Sequence, residues 1–284
     1  MLEITRIMVT GAAGQLGSTV VARLSRRYEV VSFTRSQLDI ADEPAVLERV
    51  TAVAPDAIVN CAAYNDVDRA EDAPLDAIAG NALGVLALSR AASASSTLLI
   101  HYGTDYVFDG AIDRPYEESD PPRPLSVYGS SKLLGEWFAL EAPSIYVLRV
   151  ESLFGGHPAK SSIDKILAGI EHGQPVRVFA DRTVTPSYVA DVTAATAALL
   201  ERQPPFGVYH CVNSGATTWQ GVAVEAARLL NKDADIIPVS SDSVTLRARR
   251  PRYCALSNRK LADAGIAMPA WQDALARYVA LSRD

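Results

Sequence analysis

Ile4-Thr5-Arg6-Ile7-Met8-Val9-Thr10-Gly11-Ala12-Ala13-Gly14-Gln15-Leu16-Gly17 opens as a largely apolar, β-branched run, breaks at a glycine, and resumes with helical spacing at Val20, Val21 and Leu24. The order is strand, glycine turn, helix. Glycines in such a turn let the backbone bend sharply and approach a diphosphate closely, and they let the helix pack against its strand. The helix N-terminus then faces the anion. The spacing is GxxGxxG, not the GxGxxG dinucleotide fingerprint, so the strand-to-helix setting carries the reading of a nucleotide-binding turn.

Downstream, the same alternation repeats. A second strand over Glu29-Val30-Val31-Ser32-Phe33-Thr34 is followed by a helix over Glu43–Val53 and a buried-type strand, Ala57-Ile58-Val59-Asn60, that runs into Cys61-Ala62-Ala63-Tyr64. A helix from Leu75 to about Ala94 carries Asn81, and the strand Leu98–Tyr102 delivers Gly103-Thr104-Asp105-Tyr106-Val107-Phe108-Asp109-Gly110 to the same edge. After the proline-rich loop Arg114–Pro124 come a helix to Leu140 and the strand Ile145–Arg149. Strands alternating with helices of this length specify an α/β fold, a Rossmann-type doubly wound parallel sheet. Beyond Arg149 the alternation weakens. Helices over 162–172, 189–201 and 218–230, short strands at 176–179, 207–212 and 235–239, and two C-terminal helices predict a smaller C-terminal α/β lobe. We expect residues 1–150 to bind the dinucleotide and 151–284 mainly to bind substrate, with an interleaved boundary and a cleft between the lobes.

Composition excludes several classes. A hydrophobic share of 49% and a charged share of 21% suit a soluble globular chain, and no apolar run approaches the ~20 residues of a membrane span. The start lacks the pattern of a signal peptide, which makes the cytoplasm the expected location. Three scattered cysteines and four histidines show neither a disulfide framework nor metal-ligand spacing, so no metal is expected. A formal charge of −6 argues against a nucleic-acid surface.

The reacting groups stand in Tyr128-Gly129-Ser130-Ser131-Lys132 and at Thr104. On a helix, Tyr128 and Lys132 share one face, and the lysine charge is expected to lower the phenol's pKa toward the working range of an acid catalyst. Phenol, ammonium and hydroxyl can converge on one carbonyl, which points to a reductase. At the tip of the second strand stand Thr34 and Arg35 in place of an acidic residue; arginine there accepts a ribose 2′-phosphate, so NADPH is the expected cofactor, with NADH admitted.

The glycine turn, Asn60-Cys61-Ala62-Ala63-Tyr64, Thr104-Asp105-Tyr106-Val107-Phe108-Asp109-Gly110 and Tyr128-Gly129-Ser130-Ser131-Lys132-Leu133-Leu134-Gly135-Glu136 occur together and in this order. The chain resembles the extended short-chain dehydrogenases/reductases, and within them the dTDP-4-dehydrorhamnose reductase family. The resemblance implies reduction of the C4 ketone of a nucleotide-linked deoxysugar, dTDP-linked in that family. It implies that Tyr128 protonates the ketone oxygen, that Thr104 hydrogen-bonds it, and that Lys132 holds the nicotinamide ribose and tunes Tyr128. It further places Asp105 beside the substrate, Gly11, Ala13, Gly14, Gln15 and Leu16 on the pyrophosphate, Asp39 and Ile40 near the adenine, and Ala62, Ala63 and Tyr64 along the cofactor. A homodimer is an open assembly. Two other readings are weighed: an epimerase or dehydratase on the same scaffold, and a non-catalytic NADP-binding regulatory subunit.

Departures from the family cluster after Arg149. Where it usually reads Arg-Thr-Ser-Trp-Val-Tyr-Gly, this chain has Arg149-Val150-Glu151-Ser152-Leu153-Phe154-Gly155, so Ser152 replaces an aromatic at a substrate position. Where it usually reads Asp-Gln-x-Gly-x-Pro-Thr, this chain has Asp181-Arg182-Thr183-Val184-Thr185-Pro186-Ser187. Arg247, Arg249, Arg250 and Arg252 crowd into six residues, and like charges gathered so closely call for an anion facing them; we expect the substrate diphosphate there, with Arg250 as its principal ligand.

Overall fold

The structure, a computed structural model, describes residues 2–281. In the first half the elements are β1 (Arg6–Thr10), α1 (Gln15–Leu24), β2 (Glu29–Phe33), α2 (Glu43–Val53), β3 (Ala57–Asn60), α3 (Val67–Asp72), α4 (Pro74–Ile78), α5 (Gly84–Ala94), β4 (Leu98–Thr104), α6 (Val127–Ala139) and β5 (Ile145–Val150). The second half contributes β6 (Leu153–Phe154), α7 (Ser162–Glu171), β7 (Val176–Phe179), β8 (Thr183–Val184), β9 (Ser187–Tyr188), α8 (Val189–Arg202), β10 (Gly207–His210), β11 (Thr217–Thr218), α9 (Trp219–Leu230), β12 (Ile236–Val239), α10 (Arg259–Asp263) and α11 (Trp271–Leu281).

Six strands form one sheet in the order β10-β5-β4-β3-β1-β2, and every pairing is parallel. Its central strands β1, β3, β4 and β5 are largely apolar and buried because both faces are covered. Ile7 and Val9 point into a cluster with Val20 and Leu24 of α1 and Val192 and Leu199 of α8. Met8, between them, points the other way, toward Val46 and Val50 of α2 and Leu88 of α5. The chain leaves β1 for β2 on one side and crosses to β3 on the other, so the carboxyl ends of β1 and β3 flank the crevice where such sheets bind ligands.

The second half does not form a lobe apart. It lends β10 and α8 to the main sheet and its covering layer, while three two-stranded pairs, β6 with β9, β7 with β12 and β8 with β11, build the smaller lobe over the strand ends.

One expectation needs correction. The helical run Pro74–Ala94 is long and apolar enough, by length and composition, to cross a membrane; Asp76 and Arg90 interrupt it, which hid it from a search for an unbroken apolar stretch. In the fold it packs between α2 and α6 as a core helix. Nor is it one regular helix, because a π-helical turn at Ala79–Leu83 separates α4 from α5.

Candidate active site

A cleft of about 1060 Å³ runs from the glycine turn, past the ends of β3, β4 and β5, to α7 and the loop after β12. Its cofactor end is shaped by two contacts that no side chain could share. Gly11 has φ +68°, and a Cβ there would lie 2.5 Å from the Ala62 nitrogen; one on Gly17 would lie 2.2 Å from the Gly11 carbonyl oxygen. The turn therefore seats directly on the end of β3. Gly14 caps α1 with no side-chain hydrogen bond, and the first turn of α1 carries no acidic residue. Backbone N–H groups are left facing the cleft, a cradle suited to a diphosphate.

Asn60 closes this corner from below. Its carbonyl oxygen accepts from the Thr10 hydroxyl at 2.7 Å and from the Ala62 nitrogen at 3.0 Å, and its amide meets His101 Nδ1 at 3.0 Å. Asn81, in the π-helical turn between α4 and α5, accepts from Tyr64 N at 2.8 Å and donates to Tyr64 O at 3.0 Å and to Ser131 Oγ at 3.0 Å. The π-helical turn puts this side chain in place, and such turns recur where a helix must present a functional group. Asn81 thereby joins the Ala62-Ala63-Tyr64 loop to the helix that carries Tyr128 and Lys132.

That helix, α6, starts where Ser126 Oγ accepts from Gly129 N at 3.1 Å. Gly129 lets its first turn reach the strand end: a Cβ there would stand 2.3 Å from the Tyr106 carbonyl oxygen. Further along, Glu136 pairs with Arg149 of β5 at 2.9 Å, both side chains being buried, and this fixes the helix across β4 and β5. Tyr128 and Lys132 are thus buried at the cleft floor, with Thr104 beside them and Tyr106 edge-on to Tyr128 at 5.6 Å.

Electrostatically the site departs from expectation. Burial raises the Tyr128 phenol above its ordinary range, opposed by the Thr104 hydroxyl, and Lys132 exerts no resolved pull on it. Lys132 Nζ instead donates to the Tyr102 carbonyl oxygen, and burial lowers its own pKa to about 8, with Glu136 acting in the opposite direction. Desolvation outweighs the lysine charge because the two groups share a helix face without sharing a hydrogen bond. Thr104 Oγ1 donates to Asp105 Oδ1 at 3.0 Å, and burial lifts Asp105 to about 6.

Of the residues singled out in the sequence, Gly14, Gln15, Leu16 and Ala63 line the cofactor end, and Thr104, Asp105, Tyr128, Lys132, Ser152 and Arg250 line the rest. Gly11 and Ala62 lie just beneath, in mutual contact; Ala13, Arg35, Asp39, Ile40 and Tyr64 are outside the lining. Ile40 is a core residue: its side chain fills the space that a Cβ on Gly84 would need. Arg35 is exposed at the tip of β2, 3.5 Å from Asp39. Ser152 adopts a left-handed φ of +45°. The arginine run is not gathered around one anion. Arg247 pairs with Asp72 and Arg250 with Asp68, each at 2.7 Å, and Arg252 pairs with Asp242, so the charges facing three of the four are the protein's own aspartates. Sequence reasoning gave no site role to Glu151, Arg182, Trp219 or Cys254, all of which line the cleft; Glu151 and Arg182 were visible as departures from the family pattern.

Comparison with known proteins agrees along the whole chain. The RmlD substrate binding domain family matches residues 5–283. The dTDP-4-dehydrorhamnose reductase of Mycobacterium tuberculosis is 40% identical over 286 residues, covering 97% of this chain and 92% of its own length. A dTDP-4-keto-6-deoxy-D-glucose reductase from Streptomyces niveus is 36% identical over 265 residues, covering 92% and 91%. The crystal structure of dTDP-4-dehydrorhamnose reductase from Bacillus anthracis in complex with NADP superimposes with a TM-score of 0.93 at 30% identity, covering 98% of this chain and all of that one.

Proposed function

Because the chain belongs to the dTDP-4-dehydrorhamnose reductase family, we propose that it is an NADPH-dependent oxidoreductase that reduces the C4 ketone of a dTDP-linked 6-deoxysugar. The observation that carries this reading is the convergence of Thr104, Tyr128 and Lys132 on the floor of a cleft whose far end is a backbone cradle for a diphosphate. Gly14, Gln15 and Leu16 would hold the cofactor's pyrophosphate at the start of α1, Gly11 and Gly17 make that approach sterically open, and Ala63 lines the cleft beside them. Arg35, exposed at the tip of β2, is placed to take a 2′-phosphate, which favours NADPH over NADH. When bound, NADPH supplies the hydride.

This chain's residues then manage the oxygen. Thr104 orients the ketone, Tyr128 donates its proton as negative charge develops there, and Lys132, still largely protonated at pH 7, fixes the ribose and stabilises the phenolate left behind. Burial makes Tyr128 a weak acid in the resting site, so its proton leaves only for a strongly basic oxygen such as the nascent alkoxide. The Streptomyces niveus relative supports a 4-keto-6-deoxy sugar as the substrate class, wider than rhamnose alone. A cytoplasmic location and a homodimer complete the reading.

Dehydratase chemistry is the second reading, because Glu151 stands beside Asp105 and so supplies in space a carboxylate pair that the sequence does not show in one motif. A panel of intact dTDP-hexoses and dTDP-4-keto-6-deoxy sugars separates the two. Stoichiometric NADPH consumption, lowered about 10²-fold or more in Tyr128→Phe with NADPH affinity retained, is the expected result. Turnover without net NADPH consumption favours the dehydratase, and a Tyr128→Phe enzyme of normal turnover sinks the acid assignment.

A further inference from the structure

The cleft floor holds a carboxylate that the reduction, as described, does not use. Glu151 follows β5, is 2% exposed, and has one oxygen fixed by the Thr185 backbone nitrogen at 2.8 Å and by the Thr185 hydroxyl. Its other oxygen, Oε1, is buried without a hydrogen-bond partner among the described residues. One oxygen of Glu151, one of Asp105 and the Cys254 sulfur lie within 4.8 Å of one another, a spacing across which one water can carry a proton between the two carboxyls. Asp105 in turn accepts from Thr104, which lines the cleft beside Tyr128.

Charge counting says what the pair must carry. The groups facing it are Arg182, Cys254, Tyr106, Tyr128 and Tyr253. The thiol and the phenols are raised by burial and stay neutral, which leaves the Arg182 guanidinium, itself buried, as the single charge opposite the two carboxyls among the described residues. Two carboxylates in a dry pocket cannot both ionise against one cation, so one proton remains. Arg182 supplies positive charge opposite the pair, so the reading is a shared proton.

We propose that Asp105 and Glu151 hold one proton between them and return it through the Thr104 hydroxyl to Tyr128 after each reduction. The inference rests on the reductase reading above. In the chemical step the Tyr128 O–H bond breaks and its proton passes to the alkoxide oxygen. The phenolate then takes the Thr104 proton, Thr104 takes the shared proton from Asp105, and in the same step, as product release opens the cleft, the pair regains one proton from solvent, so it is never left doubly ionised. No electrons move in these transfers. Asp105 and Glu151 are positioning residues for Tyr128, acting through Thr104.

Glu151→Gln tests this, because the amide keeps an acceptor for Thr185 N but cannot carry the proton. With NADPH and a dTDP-4-keto-6-deoxy sugar, we expect kcat at neutral pH to fall about tenfold or more while both KM values stay within about twofold. The alkaline limb of the kcat profile should move to lower pH by about one unit, since Asp105, facing Arg182 without a second carboxylate, ionises more readily. Infrared spectra should show a protonated-carboxyl band at neutral pH that Glu151→Gln and Asp105→Asn each remove. An unchanged kcat profile in Glu151→Gln, or no such band in the wild type, overturns the proposal. A wild type that consumes no NADPH with any sugar of the class sinks the reductase reading instead, and the band then decides alone whether the shared proton exists.

Discussion

At pH 7 a lysine that ionises near 8 in the folded chain and near 10.5 when unfolded is a burden on stability. Lys132 is such a group, buried for the sake of the reaction and not of the fold. Between those two pH values the unfolded chain binds more protons than the native one, so stability should rise with pH across the window; below about 8 the full cost, roughly 3 kcal/mol, is present. Lys132→Met removes that cost and forfeits the bond to the Tyr102 carbonyl, worth about 1 kcal/mol. The variant should therefore be more stable than its parent by about 1 to 2 kcal/mol at pH 7, lose that advantage by pH 10, and turn over far more slowly. Urea denaturation at the two pH values checks it, and a Met variant less stable than the parent at pH 7 would refute it. The sequence made the Tyr128–Lys132 spacing legible but not the partner of the lysine, because the Tyr102 carbonyl comes from a strand 30 residues away in the chain.

Among the elements, α6 has the least freedom of placement. Glu136 is clamped to Arg149, Asn81 holds Ser131, and three of its neighbours' approaches need glycine: Gly129 under Tyr106, Gly135 under Asn81 and Gly103 under Glu136. Gly129→Ala should push the first turn of α6, and Tyr128 with it, off the end of β4, since the new methyl would meet a backbone carbonyl that cannot turn aside. We expect a loss of about 1 to 3 kcal/mol in denaturation and a fall in kcat of about tenfold or more, with NADPH affinity largely kept. Wild-type kcat in a folded Gly129→Ala enzyme would show that α6 is not so tightly placed. Apolar periodicity revealed α6 and the six main strands to within a residue or two, because a parallel sheet covered on both faces writes its burial directly into the chain. It could not reveal the π-helical turn at Asn81, whose cause is a side chain bonded to a loop 17 residues earlier. Nor could it foresee that Ile40 turns inward beneath Gly84.

Over the whole molecule, the two lobes are joined at the cleft by ion pairs that the crowded arginines make with α3. Arg247 holds Asp72 and Arg250 holds Asp68, and Ala248 N adds a bond to Asp68 at 3.0 Å. Like charges near in sequence can thus be balanced by carboxylates about 180 residues away, which is why the run alone did not disclose its partners. Arg250 differs from its neighbours in lining the cleft with a side chain only 16% exposed. It has two roles open to it, a strap between lobes and a ligand for the substrate diphosphate, and variants on either side of the pair tell them apart. As a phosphate ligand, Arg250→Ala should raise KM for the nucleotide sugar about tenfold or more and weaken inhibition by free dTDP in parallel, with NADPH affinity unchanged. Asp68→Asn, which removes the strap and leaves the guanidinium, should then leave that KM nearly as it was or lower it, because the arginine is freed to turn to the phosphates. If the strap alone matters, both variants should raise KM equally, and their combination should add nothing further. Equal effects from Arg250→Ala and Asp68→Asn would move the substrate phosphates elsewhere in the cleft.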